Sequence, residues 1–207
     1  MIPLEILTTF AVAAFLLSLS PGPDNIFVLT QSALNGARAG ILVVLGLCTG
    51  LIFHTAAVAF GVAALVKTSA LAFTALKIAG AGYLLYLAFQ AFRAPASRME
   101  GKTSRLRPIA LYRVGLIMNI TNPKVAIFFL AFFPQFTDPV RGSMITQIAI
   151  LGAVFMAIAF FVFSCIALVS GSLSRWLMES ETAQLWLNRG AGLVFLGLAG
   201  KIAFSER

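Results

Sequence analysis

Asp24 and Lys124 are charged residues in stretches where a strongly apolar chain should carry none. The first follows Ser20-Pro21-Gly22-Pro23 and precedes Asn25; the second follows Asn119-Ile120-Thr121-Asn122-Pro123. An acid placed at the centre of a membrane helix costs about 2.5–3.5 kcal/mol, so it faces a cavity or a partner. Burial favours its neutral form, whereas a helix N-terminus or a nearby cation favours the carboxylate. A carboxylate poised in this way can take a proton or an ammonium group, or it can simply cap a helix. Lys124 offers the opposite charge. Together the two can bind the ends of a zwitterion, or form a permanent structural ion pair. The two could pair directly without a ligand and separate around one; the sequence leaves direct pairing open.

Both stretches break helices, because proline lacks the amide hydrogen and clashes with the preceding turn. Proline also favours the first position of a new helix. A helix can therefore restart at Pro21 or Pro23, with Ser20 or Gly22 as the cap, and at Pro123 behind the good cap Asn122. Each restart presents free amides and a partial positive charge, the ingredients of a carboxylate site. The alternative is a pair of proline kinks repaired by neighbouring groups. The candidate substrate-binding residues are thus Gly22, Pro23, Asp24, Asn25, Asn119, Asn122, Pro123 and Lys124. Asp24 and His54, the only histidine, are the candidates for proton coupling, although His54 can equally hold two helices together. Gln31 can orient a ligand or equally hold helices together by hydrogen bonds. Lys77 lies near the end of its segment and can snorkel.

The elements that must position these groups follow from composition. The 207 residues are 60% hydrophobic and 11% charged, against roughly 25% charged in ordinary soluble domains. Mean hydropathy is +0.97. Apolar runs of about 20 residues recur, so the chain reads as an all-α integral membrane protein with the lipid bilayer as its surroundings. Six segments are expected, at about residues 4–34, 39–66, 70–92, 108–136, 144–173 and 187–204, the first and fourth broken. Met1-Ile2-Pro3-Leu4-Glu5 has no basic residue, so the first segment does not start like a signal peptide.

The +8 charge is placed in loops and calls for no nucleic acid. Arg93, Arg98, Lys102, Arg105, Arg107 and Arg113 cluster around the central stretch, and Arg38, Arg175 and Arg189 fall on the same side. Lys67, Arg141, Lys201 and Arg207 fall on the other. The excess puts the central loop in the cytoplasm and both termini outside. Should the first segment dip in and return, five segments would cross and the N-terminus would be cytoplasmic.

The halves also match one another. Pro23-Asp24 with Ile26-Phe27-Val28-Leu29 corresponds to Pro123-Lys124 with Ile127-Phe128-Phe129-Leu130, and Gly80-Ala81-Gly82 to Gly190-Ala191-Gly192. Three segments per copy make the second run upside down, and paired broken helices in inverted repeats point to a transporter's binding site. One transmembrane domain is expected, with repeat 1 over about 1–92, a basic loop over about 93–107 and repeat 2 over about 108–207. Gly46 with Gly50, and Gly36 with Gly40, are spaced for close helix packing.

The Ser-Pro-Gly-Pro-Asp-Asn stretch, the run from Gly46 to His54, the run from Lys77 to Leu87 with Gly-Ala-Gly-Tyr-Leu-Leu-Tyr-Leu, and Asn119 to Lys124 followed by Phe-Phe and Pro134-Gln135-Phe136 resemble the LysE/RhtB family of bacterial amino-acid exporters. The resemblance covers essentially the whole chain. It implies efflux of amino acids or derivatives across the inner membrane, coupled to proton entry, often by a homodimer. It looks closer to the neutral branch (homoserine, threonine, leucine) than to the lysine/arginine branch. It implies no cofactor, no metal and no catalysis.

Other classes fit less well. A membrane thiol–disulfide carrier needs reactive cysteines beside the breaks, whereas Cys48 and Cys165 fall in the second and fifth segments. Two cysteines and one histidine are a thin ligand set for a soft-metal exporter. No G-x-S-x-G elbow or H-E-x-x-H helix suggests a hydrolase.

Overall fold

Among the described residues every apolar run is helical, and both proline-rich stretches divide their runs in two. The computed structural model describes residues 2–20, 22–68, 70–93, 106–169 and 180–204. Pro21, the side chain of Lys77, most of the basic central loop, Arg175 and Arg207 lie outside the described residues. The helices are α1 (Leu4–Leu19), α2 (Pro23–Asn35), α3 (Ala37–Thr68), α4 (Ala70–Arg93), α5 (Pro108–Thr121), α6 (Pro123–Phe132), α7 (Met144–Val169) and α8 (Glu181–Phe204). Two 3₁₀ turns, Phe133–Phe136 and Pro139–Arg141, lead from α6 to α7. The last helix starts six residues before the expected position 187, because its first turn is polar and an apolar run does not reveal it.

Within α3 and α7, Ala37–Val62 and Met144–Val169 are long and apolar enough to cross a membrane on their own. The bent pairs α1–α2 and α5–α6 qualify if each is taken as one span, with bends of 58° and 53°.

Helices in lipid gain little from hydrophobic burial against each other, so they associate through close packing and interhelical hydrogen bonds. The α3–α5 contact is built that way. Gly46 faces the backbone of Tyr112 and Leu116, and Gly115 faces the backbone of Val43, with no room for a side chain at either position. Tyr112 Oη donates to Thr49 Oγ1 across the same contact at 3.1 Å. Gly40 likewise packs against Ser32 and Ala167, but Gly36 does not serve packing. It terminates α2 with φ +84°, a conformation glycine adopts without a Cβ penalty.

α3 packs on α5, α7 and α2, α1 packs on α7, and α4 packs chiefly on α8. A phenylalanine cluster joins α1, α6, the first 3₁₀ turn and α7. Phe10, Phe128, Phe129, Phe132, Phe133, Phe136 and Phe155 are all buried. Their closest ring pairs are Phe129–Phe133 at 4.2 Å and Phe128–Phe132 at 4.4 Å. Such pairs add about 0.5–1.5 kcal/mol each beyond their buried area. The cluster fixes α6 directly beyond its broken end, and so fixes where Lys124 stands.

Candidate functional site

At the first break, α1 loses its normal hydrogen bonds because neither Pro21 nor Pro23 has an amide hydrogen to give. Ser20 N–H donates back to the carbonyls of Leu16 and Leu17 at 3.0 and 3.1 Å. Asn25 Nδ2 reaches back across the break to the Ser18 carbonyl at 2.7 Å. Of the two restarts open in the sequence, the helix takes Pro23, behind Gly22 as an extended N-cap without a side-chain bond. Asp24 therefore stands in the first turn of α2, yet its carboxylate does not cap that helix. It turns toward the second break.

The second break follows the same logic. The Asn119 carbonyl would be the partner of an amide at 123, and Pro123 has none. Asn122 N–H donates to it at 3.1 Å, and His54 Nε2–H donates to it from α3 at 3.0 Å. Because a carbonyl only accepts, Nε2 carries the hydrogen in this contact. Asn122 caps α6, its Oδ1 accepting from Lys124 N–H at 3.0 Å. Pro123 is the first residue of α6, as its sequence position predicts.

The two breaks hold each other's charges. Asp24 Oδ1 accepts from Asn122 Nδ2 at 3.1 Å and Oδ2 from Asn119 Nδ2 at 3.4 Å. Lys124 Nζ donates to Ser20 Oγ at 3.1 Å and lies 6.0 Å from the Phe195 ring of α8, at the limit of a cation–π contact. Asp24 is 6% exposed, and Asn119 and Asn122 are also buried. Asp24 and Lys124, whose direct pairing the sequence leaves open, form no ion pair within 4.0 Å. Among the described residues the only ion pair within 4.0 Å is Arg141 Nε with Asp138 Oδ2, in the turn before α7. Neutral amides and a hydroxyl satisfy part of each charge, so neither needs the other.

These residues line a narrow cavity of about 40 Å³. Of the residues expected in the site, Gly22, Pro23, Asp24, Asn25, Asn119, Asn122 and Lys124 line it. Pro123 and His54 do not: Pro123 starts α6 from an exposed position, and His54 sits behind Asn119 on α3, 5.7 Å from the Phe129 ring. Gln31, fully buried on α2, is also absent from the lining; its Oε1 accepts from Asn35 Nδ2 at 3.0 Å. Cys48 and Cys165 are free thiols on α3 and α7, and neither lines the cavity.

Sequence reasoning missed the apolar wall. Phe128 and Phe129 of α6 and Phe155, Ala159 and Phe163 of α7 complete the cavity. The spacing of four along α7 puts the last three on one helix face, and that spacing was the available signal. In a helix apolar on every side, however, nothing distinguishes that face from the one touching lipid.

Helices apolar enough to span a bilayer, with two helix breaks that bring a buried acid and a half-buried lysine to one cavity, define an integral membrane protein. The chain belongs to the LysE type translocator family, whose model matches residues 15–206. It is 33% identical to the homoserine/homoserine lactone efflux protein of Salmonella typhimurium, over 96% of this chain and 95% of that protein. It is 31% identical to the leucine efflux protein of Salmonella choleraesuis, over 94% and 93%. An uncharacterised membrane protein of Vibrio cholerae is 33% identical over 95% and 96%. No solved structure matches.

Proposed function

We propose that the protein exports neutral amino acids from the cytoplasm across the bacterial inner membrane, exchanging each for protons by alternating access. The observation that carries this reading is the crossed support of Asp24 and Lys124. Each charge keeps spare hydrogen-bonding capacity, since a carboxylate has about four acceptor sites and an ammonium three donors. An acid and a base held apart on one cavity suit a zwitterion. The substrate ammonium goes to Asp24, and its carboxylate to Lys124 and a half-helix N-terminus. A proton and the ammonium compete for Asp24, which makes the exchange obligatory. His54 supports the second break through the Asn119 carbonyl and stands outside the proton path.

We take the chain as one transporter domain of six spans in two inverted repeats, over about 1–92 and 108–207, joined by the cytoplasmic loop over about 93–107. In favour of the repeat, exchanging the halves turns the α3–α5 contact into α7–α1 and the α2–α7 contact into α6–α3. In favour of spanning rather than re-entrant breaks, bends of 58° and 53° leave each second half-helix advancing. At the helical rise, α1 and α2 together advance about 35 Å, enough for a hydrocarbon core of about 30 Å. The working unit is proposed to be a homodimer.

Proteoliposomes loaded with labelled leucine or homoserine test this function. Acidifying the exterior is expected to accelerate efflux and to acidify the lumen in step. Efflux indifferent to the pH gradient would remove proton exchange, and the lack of efflux of any amino acid would remove the function.

A further inference from the structure

The cavity is chemically two-sided. Its polar lining comes from α1, α2, α5 and α6, and its α7 wall is wholly apolar: Phe155, Ala159 and Phe163. Several polar donors already hold a protein partner. Ser18 Oγ donates to the Ala14 carbonyl, Asn25 Nδ2 to the Ser18 carbonyl, and the Asn119 and Asn122 amides to Asp24. Capacity is left over on Asp24 and Lys124, which a zwitterion's two ends use, and on the unpartnered Asn119 Oδ1, which lies against Gly50 of α3. A ligand group directed toward α7 meets carbon alone.

Ala159 gives that wall its shape. It lies one turn from each of Phe155 and Phe163, is itself 1% exposed, and ends at Cβ. The two rings thus flank a notch one side chain deep. Phe155 is locked by rings 4.9 Å away at Phe129 and 5.9 Å away at Phe128, so it cannot swing to enlarge the notch without disturbing α6.

We propose that the α7 wall is the side-chain subsite and that Ala159 sets its depth, selecting amino acids with short aliphatic side chains over hydroxylated or charged ones. The inference rests on the export reading, because it assumes that an amino acid occupies this cavity. Norvaline and homoserine give the sharpest comparison, since they have nearly the same shape and differ by a methyl against a hydroxyl. An apolar pocket discriminates against such a hydroxyl by up to about 100-fold. Lysine, with a charge to bury, is rejected further.

The test is counterflow of labelled leucine in proteoliposomes of the wild type, with alanine, norvaline, leucine, homoserine and lysine as competitors, and then of Ala159→Phe. Norvaline and leucine are expected to compete at least tenfold better than homoserine. Ala159→Phe is expected to depress leucine transport at least tenfold more than alanine transport. Homoserine equal to norvaline, or equal losses of leucine and alanine in the variant, overturns the subsite while leaving export in place. If no amino acid is carried by the wild type, the export reading falls and takes the subsite with it. Should Ala159→Phe fail to insert, the wild-type competition series decides alone.

Discussion

Asn122 connects Asp24 to the opposite broken helix: its Nδ2 donates to Asp24 Oδ1 at 3.1 Å while its Oδ1 caps the Lys124 amide at 3.0 Å. One side chain thus positions the acid of the first half and the backbone beneath the base of the second. Both ends of the amide are used, so its orientation is fixed, and the acid is fixed with it.

Asn122→Ala removes both bonds. Losing an N-cap costs about 0.5–2 kcal/mol, and leaving a buried acceptor short of a donor costs about 1–3 kcal/mol more. We expect a drop of roughly 2–4 kcal/mol, read as a lower thermal midpoint of the detergent-solubilised protein. Asn122→Ser keeps a capping oxygen without the reach to Asp24 and should recover the cap's share alone. Equal losses in both variants would show that the cap contributes nothing.

Lys124→Met keeps the stem and removes the charge. The carboxylate clamp predicts that KM for the amino acid rises at least tenfold in proteoliposome uptake, with Lys124→Arg between it and the wild type. Wild-type kinetics in Lys124→Met would remove the clamp.

His54 offers a separation of roles. It donates to the carbonyl that Pro123 leaves without a partner and does not line the cavity. His54→Phe should therefore cost about 1–3 kcal/mol of stability while the dependence of transport on external pH stays as in the wild type. A flattened pH profile would make the histidine a proton carrier.

Gly50 lies against the Asn119 side chain, which a Cβ at 50 would strike. Gly50→Ala should push that amide away from Asp24, with an overpacking cost of about 1–3 kcal/mol and a raised KM. Unaltered stability and KM would mean that the α3–α5 contact gives way freely.

Much of this was legible in the sequence because the strongest signals were local. Proline, lacking an amide hydrogen, disrupts a helix interior but suits a helix start, so both breaks could be placed, and Asn122 before Pro123 could be identified as a cap. The mutual support of the charges was less accessible. Nothing along the chain says that Asp24 prefers two asparagine amides to Lys124, or that Ser20 receives the lysine; opposite charges suggest a pair, and only the fold shows that neutral groups satisfy each one first. Gly36 misled through its spacing from Gly40, since a packing glycine and a helix-ending glycine look alike in sequence. The α7 wall stayed hidden for a similar reason, because a helix facing lipid on one side and a cavity on the other is apolar on both.

The central claim is that Asp24 alternates between a proton and the substrate ammonium. It is tested most directly by pH-gradient-driven efflux of a labelled neutral amino acid from proteoliposomes of Asp24→Asn beside the wild type. Asparagine keeps the shape and cannot take up or release a proton at neutral pH. The account predicts that gradient-driven efflux falls to the level of protein-free liposomes in the variant. Gradient-driven efflux at the wild-type rate would contradict it.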